Sequence, residues 1–210
     1  MTERRYYTSD ALQGDAQLLR CAVNEEGLYE VELDATLFHP QGGGQPSDQG
    51  TLNGVSVVRV ENRGETVCHI LAQPIAGERV TMLIDADCRQ RHTRWHSAGH
   101  LIGYAGEQSG WRPVKAHHWP GAGRITFVAH RCDTLPTPEE LSALIAGWIA
   151  DGLERHVAVD GEVREVRFGD LPAYRCGGTH VSSLADLPEV VLTQIKLKKG
   201  QLVVNYALDA

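Results

Sequence analysis

The sequence predicts an α+β protein: a small β-barrel-like domain over residues 1–85, then an α+β domain over residues 86–210. Three observations predict it. Short alternating apolar segments with tight-turn signals fill the first 85 residues. The pattern changes to helical spacing near Asp87. A second helical run, strongly capped, then sits among further alternating segments. The chain has 210 residues, 42% of them hydrophobic and 22% charged, which is enough to bury a real core.

Each element follows in order. "LYEVELDATLF" alternates apolar and polar residues with period two. "TLNGVSVVRVEN" carries Asn53-Gly54 between apolar runs, the signature of a type I′ hairpin turn. "ETVCHIL" and "GERVTMLID" supply two more short strands, so the region reads as a small barrel or sandwich. Asp87 is the expected cap of the first helix, with Gln90 at its third position, and Gly110 offers a stop after about Gln108. Strand-like residues follow around "GRITFVAH". "TPEELSALIAGWIADGLERH" is the clearest helix: Thr137 caps it, Pro138 takes the first position and Glu140 closes a capping box. Its stripe of Leu141, Leu144, Ile145, Trp148 and Ile149 reads as packing. "VAVDGEVREVRF" alternates again, and "TQIKLKKGQLVVNYAL" reads as a closing hairpin.

No run approaches the ~18 apolar residues of a membrane span, and no apolar stretch follows "MTERRYYTSD". Neither a membrane nor a signal peptide is expected. The five cysteines (Cys21, Cys68, Cys88, Cys132, Cys176) are odd in number and scattered, which suits a reducing, cytoplasmic setting. A monomer is the default expectation. The net charge of −7 speaks weakly against nucleic acid, but its distribution does not. Residues 88–131 hold seven Lys/Arg against one acid, with six of the ten histidines. "KLKKG" adds Lys196, Lys198 and Lys199. Such a basic face is either a footprint for a polyanion or a solvated stripe.

Three motifs carry chemistry. In "RWHSAGHLI", His96 and His100 are four apart. A helix puts both rings on one face, about 6 Å apart at Cβ, within reach of one metal ion. In "YRCGGTHVSS", Cys176 and His180 are also four apart, and Gly177 and Gly178 suit a tight turn between them. Singly, each pair also fits surface histidines or an inert buried thiol. Together, three imidazoles and a thiolate make a complete tetrahedral shell for Zn2+. The third motif is "FHPQGGGQPSDQG", where Gly42, Gly43 and Gly44 expose backbone N–H groups. No Lys-Ser/Thr follows, so it is not a Walker A loop; by itself it fits a barrel-corner turn equally well.

The combination of HxxxH, "CGGTH" and "GGGQPSDQG" resembles the editing domain of alanyl-tRNA synthetase. It is similar to the freestanding form of that domain, the AlaX family of trans-editing proteins, in its medium-length type. The resemblance covers nearly the whole chain. It implies a domain of the type shared with threonyl-tRNA synthetase and a zinc-dependent hydrolase that deacylates misacylated tRNA(Ala). It carries the metal ligands onto His96, His100, Cys176 and His180. It places Ser97 where a hydroxyl senses the serine side chain, and Gly43, Gly44 and Gln45 at the edge of the same pocket. Arg94, Lys115, Lys196, Lys198 and Lys199 are then candidates for contact with the tRNA. Two departures stand out: His39 replaces the family's usual aromatic, and Thr126 replaces a frequent acidic residue. His117 and His118 are expected to be exposed or phosphate-facing.

The implied task has a physical reason. A pocket that selects alanine admits glycine and rejects serine poorly, since one methylene-sized group is worth only ~1–3 kcal/mol. A second, hydrolytic sieve that tests for the hydroxyl corrects this. Its chemistry is ester hydrolysis, with zinc positioning the substrate and a nearby water attacking. No nucleophile is legible, because Ser97 lies on a helix and not at a nucleophile elbow. Three alternatives remain. One is a zinc-stabilised tRNA-binding module without turnover. Another is a deacylase of a different misacylated tRNA such as Ser-tRNA(Thr). The last, a metalloprotease, lacks the glutamate of HExxH at position 97.

Overall fold

The structure is a computed structural model that describes residues 1–131, 134–161 and 163–209. Cys132 and Glu162, which belong to readings above, lie outside the described residues. The chain divides into two compact units: Met1–Gly42 with Pro46–Gln90, and Gly43–Gln45 with Arg91–Ala210.

The first unit contains β1 (Glu3–Arg4), β2 (Gln13–Val23), β3 (Tyr29–Leu33), β4 (Ala35–Thr36), β5 (Gly50–Leu52), β6 (Val55–Arg63), β7 (Thr66–Leu71) and β8 (Arg79–Ile84). Six strands close into a ring in the order β2-β3-β7-β6-β5-β8, while β1 pairs in parallel with β4. Closure leaves those six strands no unpaired edge. In β8, Val80, Met82 and Ile84 point into the core and Arg79, Thr81 and Leu83 face out, because successive side chains alternate across a strand. Asn53 and Gly54 take φ of 50° and 81° between β5 and β6, as a type I′ turn requires. β2 escapes a reading by period, for a physical reason. Its pairing with β3 shifts register between Leu18 and Arg20, and the irregularity breaks the two-residue alternation.

The tail of the glycine-rich motif is anchored inside this unit. Asp48 is fully buried and accepts two hydrogen bonds from Arg89, at 3.0 and 2.5 Å, and one from the His39 N–H at 2.6 Å. The same guanidinium donates to the Leu37 carbonyl at 2.7 Å. His39 sits edge-on to Tyr6 in this packed region, with ring centroids 5.5 Å apart.

The division between units falls within α1 (Ala86–Gln108). The cap of α1 lies two residues earlier than its sequence suggests: the Asp85 carboxylate accepts the Cys88 N–H at 2.8 Å. β8 ends at Ile84, so Asp85 precedes the first helical residue, and Asp87 falls in the first turn, where its charge still favours the helix dipole. Gly110, at φ 84°, ends the helix.

The second unit continues with β9 (Trp111–His117), β10 (Gly123–Ala129), α2 (Pro138–Ala150), β11 (Arg155–Asp160), β12 (Val163–Phe168), β13 (Tyr174–Arg175), β14 (Val190–Lys198) and β15 (Gln201–Leu208). An antiparallel sheet has the order β14-β15-β10-β9, and a smaller one the order β11-β12-β13. α2 starts with the full capping box of Thr137 and Glu140. It stops at Ala150, short of the quoted helical run, because Gly152 turns the chain at φ 59° and Arg155 opens β11. Its stripe is packing: Leu141 and Ile145 are buried, with Leu144, Trp148 and Ile149 against the same core. Ala98, Leu101, Ile102 and Ala105 of α1 join Ile125 and Phe127 of β10 and Leu202 and Val204 of β15 in that core. Each of the larger side chains contributes about 1.5–3 kcal/mol by leaving water. This burial holds α1 rigid, and α1 carries the first two residues of the site.

Candidate metal centre

His96 and His100 project from one face of α1, with ring centroids 5.1 Å apart. Cys176 and His180 come from the loop after β13. One ligand atom from each of the four residues lies within 4.8 Å of all the others. The Nε2 atoms of His96 and His180 stand 3.4 and 3.2 Å from the Cys176 sulfur.

The far side of two imidazoles is held. Gln45 Oε1 lies 2.6 Å from His96 Nδ1. An amide oxygen only accepts, so His96 carries its proton on Nδ1 and turns the Nε2 lone pair toward the thiol. Gln45 Oε1 also accepts the Thr179 N–H at 3.0 Å, and Gln45 Nε2 donates to Thr179 Oγ1 at 2.9 Å. Thr93 closes the chain at 2.7 Å from Thr179 Oγ1. Ser97 Oγ lies 3.1 Å from His180 Nδ1 and accepts the Val181 N–H at 3.1 Å. Arg164, buried, donates to the carbonyls of Cys176 and Gly178, both at 2.8 Å, and so clamps the loop.

Burial sets the protonation. It pushes His100 down to about 3, with His118 and Arg164 adding to the effect. It holds His180 well below the ordinary histidine value, reinforced by His100, Arg164, His118 and Arg155. Burial raises the Cys176 thiol, against the opposing pull of the Gly178 N–H and Arg164. Neutral imidazoles keep their lone pairs, which is the state a metal needs. His100 Nδ1 is enclosed with no hydrogen-bond partner among the described residues. Three imidazoles and a thiol at these distances fit a tetrahedral, moderately soft cation. The cluster can hold a metal ion.

Gly178 of "CGGTH" serves a different purpose from the one its sequence suggests. Neither Gly177 nor Gly178 has a positive φ. Gly178 is needed for space: a methyl group there would overlap the His96 ring and crowd Gln45 Oε1.

Beside the cluster lies a pocket of about 520 Å³, whose walls include His96, His100, Cys176, Gly43, Lys115 and His118. His118 stacks on His96 at 4.3 Å and an interplanar angle of 25°.

No family model matches the chain. Individual relatives do. It is 29% identical over 210 residues to the alanyl-tRNA editing protein AlaX-M of Pyrococcus horikoshii, covering 96% of this chain and 93% of that protein. It is 33% identical to the alanyl-tRNA editing protein Aarsd1 of Bos taurus, over 82% of this chain and 44% of the relative. The chain belongs to the alanyl-tRNA editing family. It is also 41% identical to the alanine–tRNA ligase of Halorubrum lacusprofundi, over 90% of this chain and 24% of the ligase. The chain thus spans nearly all of AlaX-M but under half of Aarsd1 and about a quarter of the ligase.

The expected site residues fall into three groups. His96, His100, Cys176 and His180 converge as one cluster. Gly43 and Lys115 line the pocket. Gln45 and Ser97, expected at the substrate, are fully buried and form no part of the pocket wall; they reach the site through the imidazoles they hold. Gly44 stands behind His118, whose N–H donates to the Gly44 carbonyl at 2.8 Å. Arg94 donates to the Asp186 carbonyl at 3.0 Å. Lys196, Lys198 and Lys199 are exposed on and just beyond β14 and do not line the pocket. Thr126 is buried in β10 between Ile125 and Phe127 and is also absent from the wall.

His118 departs from its expectation. It is 2% exposed, so it is a wall of the pocket and not an outer contact. Sequence reasoning missed Thr93, Thr179 and Arg164. Thr179 was visible inside "CGGTH", but nothing in a linear pattern pairs it with Gln45, 134 positions away.

Proposed function

We propose that this chain is an aminoacyl-tRNA deacylase that clears misacylated tRNA(Ala), chiefly Ser-tRNA(Ala) and also Gly-tRNA(Ala), with Zn2+ held by His96, His100, Cys176 and His180. The observation that carries this reading is the convergence of the four donors, three of which (His96, His100 and Cys176) line a cationic-rimmed pocket, in a chain of the editing family. Water adds to the ester carbonyl, the bond to the ribose oxygen breaks, and the products are a free amino acid and a tRNA with a free terminal hydroxyl. When bound, the metal supplies Lewis-acid polarisation and orientation.

The chain's own residues prepare that chemistry. Gln45 and Ser97 orient His96 and His180 from behind, which presets the donor geometry. Arg164 fixes the loop carbonyls of Cys176 and Gly178. Lys115, exposed at the rim, meets the phosphates of the acceptor end, with Arg94, Lys196, Lys198 and Lys199 extending the basic surface. The backbone of Gly43 lets the terminal ribose approach closely. Among the described residues, no helix is long and apolar enough to cross a membrane; the proposed setting is cytoplasmic.

A second reading rests on the same cluster: four protein donors also close a shell as structural zinc sites do. The test is release of amino acid from Ser-, Gly- and Ala-tRNA(Ala), with and without a zinc chelator. Chelator-sensitive release of serine with alanine spared supports the deacylase. Binding of tRNA without any release replaces it with a zinc-stabilised binding module. Release from Ser-tRNA(Thr) in preference to Ser-tRNA(Ala) changes the substrate.

A further inference from the structure

The reading above leaves open which side chain tells serine from alanine. Ser97 is fully buried behind His180, with its oxygen taken by His180 Nδ1 and the Val181 N–H. The pocket wall itself holds a better-placed group. We propose that His118 reads the substrate side chain: its Nε2 accepts a hydrogen bond from a seryl hydroxyl, and an alanyl methyl in the same place leaves that nitrogen unpaired. This rests on the deacylase reading.

The argument is geometric. Tyr206 donates its one hydroxyl proton to the Trp95 carbonyl at 2.8 Å. The 2.9 Å contact between Tyr206 Oη and His118 Nδ1 must therefore carry the proton of Nδ1. In the neutral ring that fixes one tautomer, in which Nε2 keeps a lone pair and no proton. The ring's hydrogen bond among the described residues is made through Nδ1 and not Nε2, and His118 lines the pocket. The ring has no freedom to turn away. Its face stacks on His96 at 4.3 Å, its N–H is tied to the Gly44 carbonyl, and its edge fills the space over Gly99. A methyl group at Gly99 would overlap that edge, which gives the glycine inside "HSAGH" a reason.

An acceptor in such a place discriminates by what it loses. Serine satisfies it. Alanine expels the water that would otherwise pair with it and offers only a methyl group, which leaves a buried acceptor unsatisfied. Glycine leaves room for that water and is tolerated.

The experiment measures kcat/KM for Ser-, Gly- and Ala-tRNA(Ala) with His118→Leu and His118→Gln, alongside zinc content and melting temperature. His118→Leu is expected to lower the serine-to-alanine ratio about tenfold or more, the worth of one hydrogen bond plus relief of the penalty on alanine. His118→Gln, which keeps a polar atom, is expected to restore the ratio to within about threefold of the parent. A parallel fall on all three substrates overturns the proposal, because a structural role or contact with the shared ammonium or water acts on them alike. If His118→Leu loses zinc or melts early, the tautomer of the parent ring decides. Nitrogen-15 spectra of the parent protein give an independent readout: His118 should carry its proton on Nδ1, and Tyr206→Phe should lose that preference. A proton on Nε2 in the parent overturns the proposal. A parent that releases no amino acid at all, yet shows the Nδ1 proton, rejects the deacylase reading and with it the substrate assigned to His118, while the tautomer stands.

Discussion

Replacing Gln45 by leucine isolates the device that holds the metal ligands. Leucine nearly matches the volume and removes both polar atoms. The amide oxygen accepts from His96 Nδ1 at 2.6 Å and from the Thr179 N–H at 3.0 Å, in a fully buried position. Two buried donors are left unpaired, each at about 1–3 kcal/mol, so with partial relaxation the loss is ~2–4 kcal/mol. The loss depends on the metal. In the metal-free protein His96 can move its proton to Nε2, which faces the Cys176 sulfur, and relieve part of the cost. With zinc bound, Nε2 is taken and the proton must stay on Nδ1. Gln45→Leu should therefore weaken zinc about 10–100-fold and destabilise the loaded protein more than the metal-free one. Chelator competition gives the affinity, and denaturant unfolding of both forms gives the stabilities. Zinc affinity within about twofold of the parent, with equal losses in the two forms, refutes an orienting role for Gln45.

Four further outcomes are expected. Cys176→Ala should abolish stoichiometric zinc and deacylation together, as zinc content and serine release will show; full activity with one zinc per chain removes Cys176 from the ligand set. Gly178→Ala drives a methyl group into the His96 ring and should cost ~1–3 kcal/mol and weaken zinc, read by melting and chelator competition; an unchanged pair of values means the loop gives way freely. His69 is fully buried in the first unit and burial pushes it down to about 4. Between pH 6.5 and 4 the unfolded chain binds a proton there that the folded chain does not, so stability is full above that window and declines through it. The loss is about 3 kcal/mol, and His69→Gln should flatten the slope of denaturant stability against pH. Lys198→Glu with Lys199→Glu should weaken tRNA binding more at low salt than at high salt; equal affinity at both removes this hairpin from the tRNA surface.

Much of this was legible in the chain. The type I′ turn at Asn53-Gly54 and the capping box of Thr137 and Glu140 are local devices, built from residues within a few positions of each other, and they form as read. The first helix was legible too, but its start was not: Asp85 and Asp87 are both competent caps, and where β8 ends decides between them. β2 was not legible, because an irregular register hides its period.

The site divides along the same line. Residue type and spacing by themselves determined the four metal-binding candidates, since i, i+4 pairs of histidine and of cysteine with histidine have few other purposes in combination. What stands behind them was decided by tertiary structure alone. Thr93, Thr179 and Arg164 are ordinary polar residues in the sequence, and Gln45 and Ser97 are expected at the substrate; all five become the support of the cluster only where folding buries them against it. Gly178 reads as a flexible turn until the His96 ring is beside it. His118 reads as an exposed basic residue until Tyr206, 88 positions away, takes its Nδ1 proton and leaves Nε2 to the pocket. Hydrogen-bond direction and close packing are properties of neighbours in space, and linear order carries them only when those neighbours are also close in the chain.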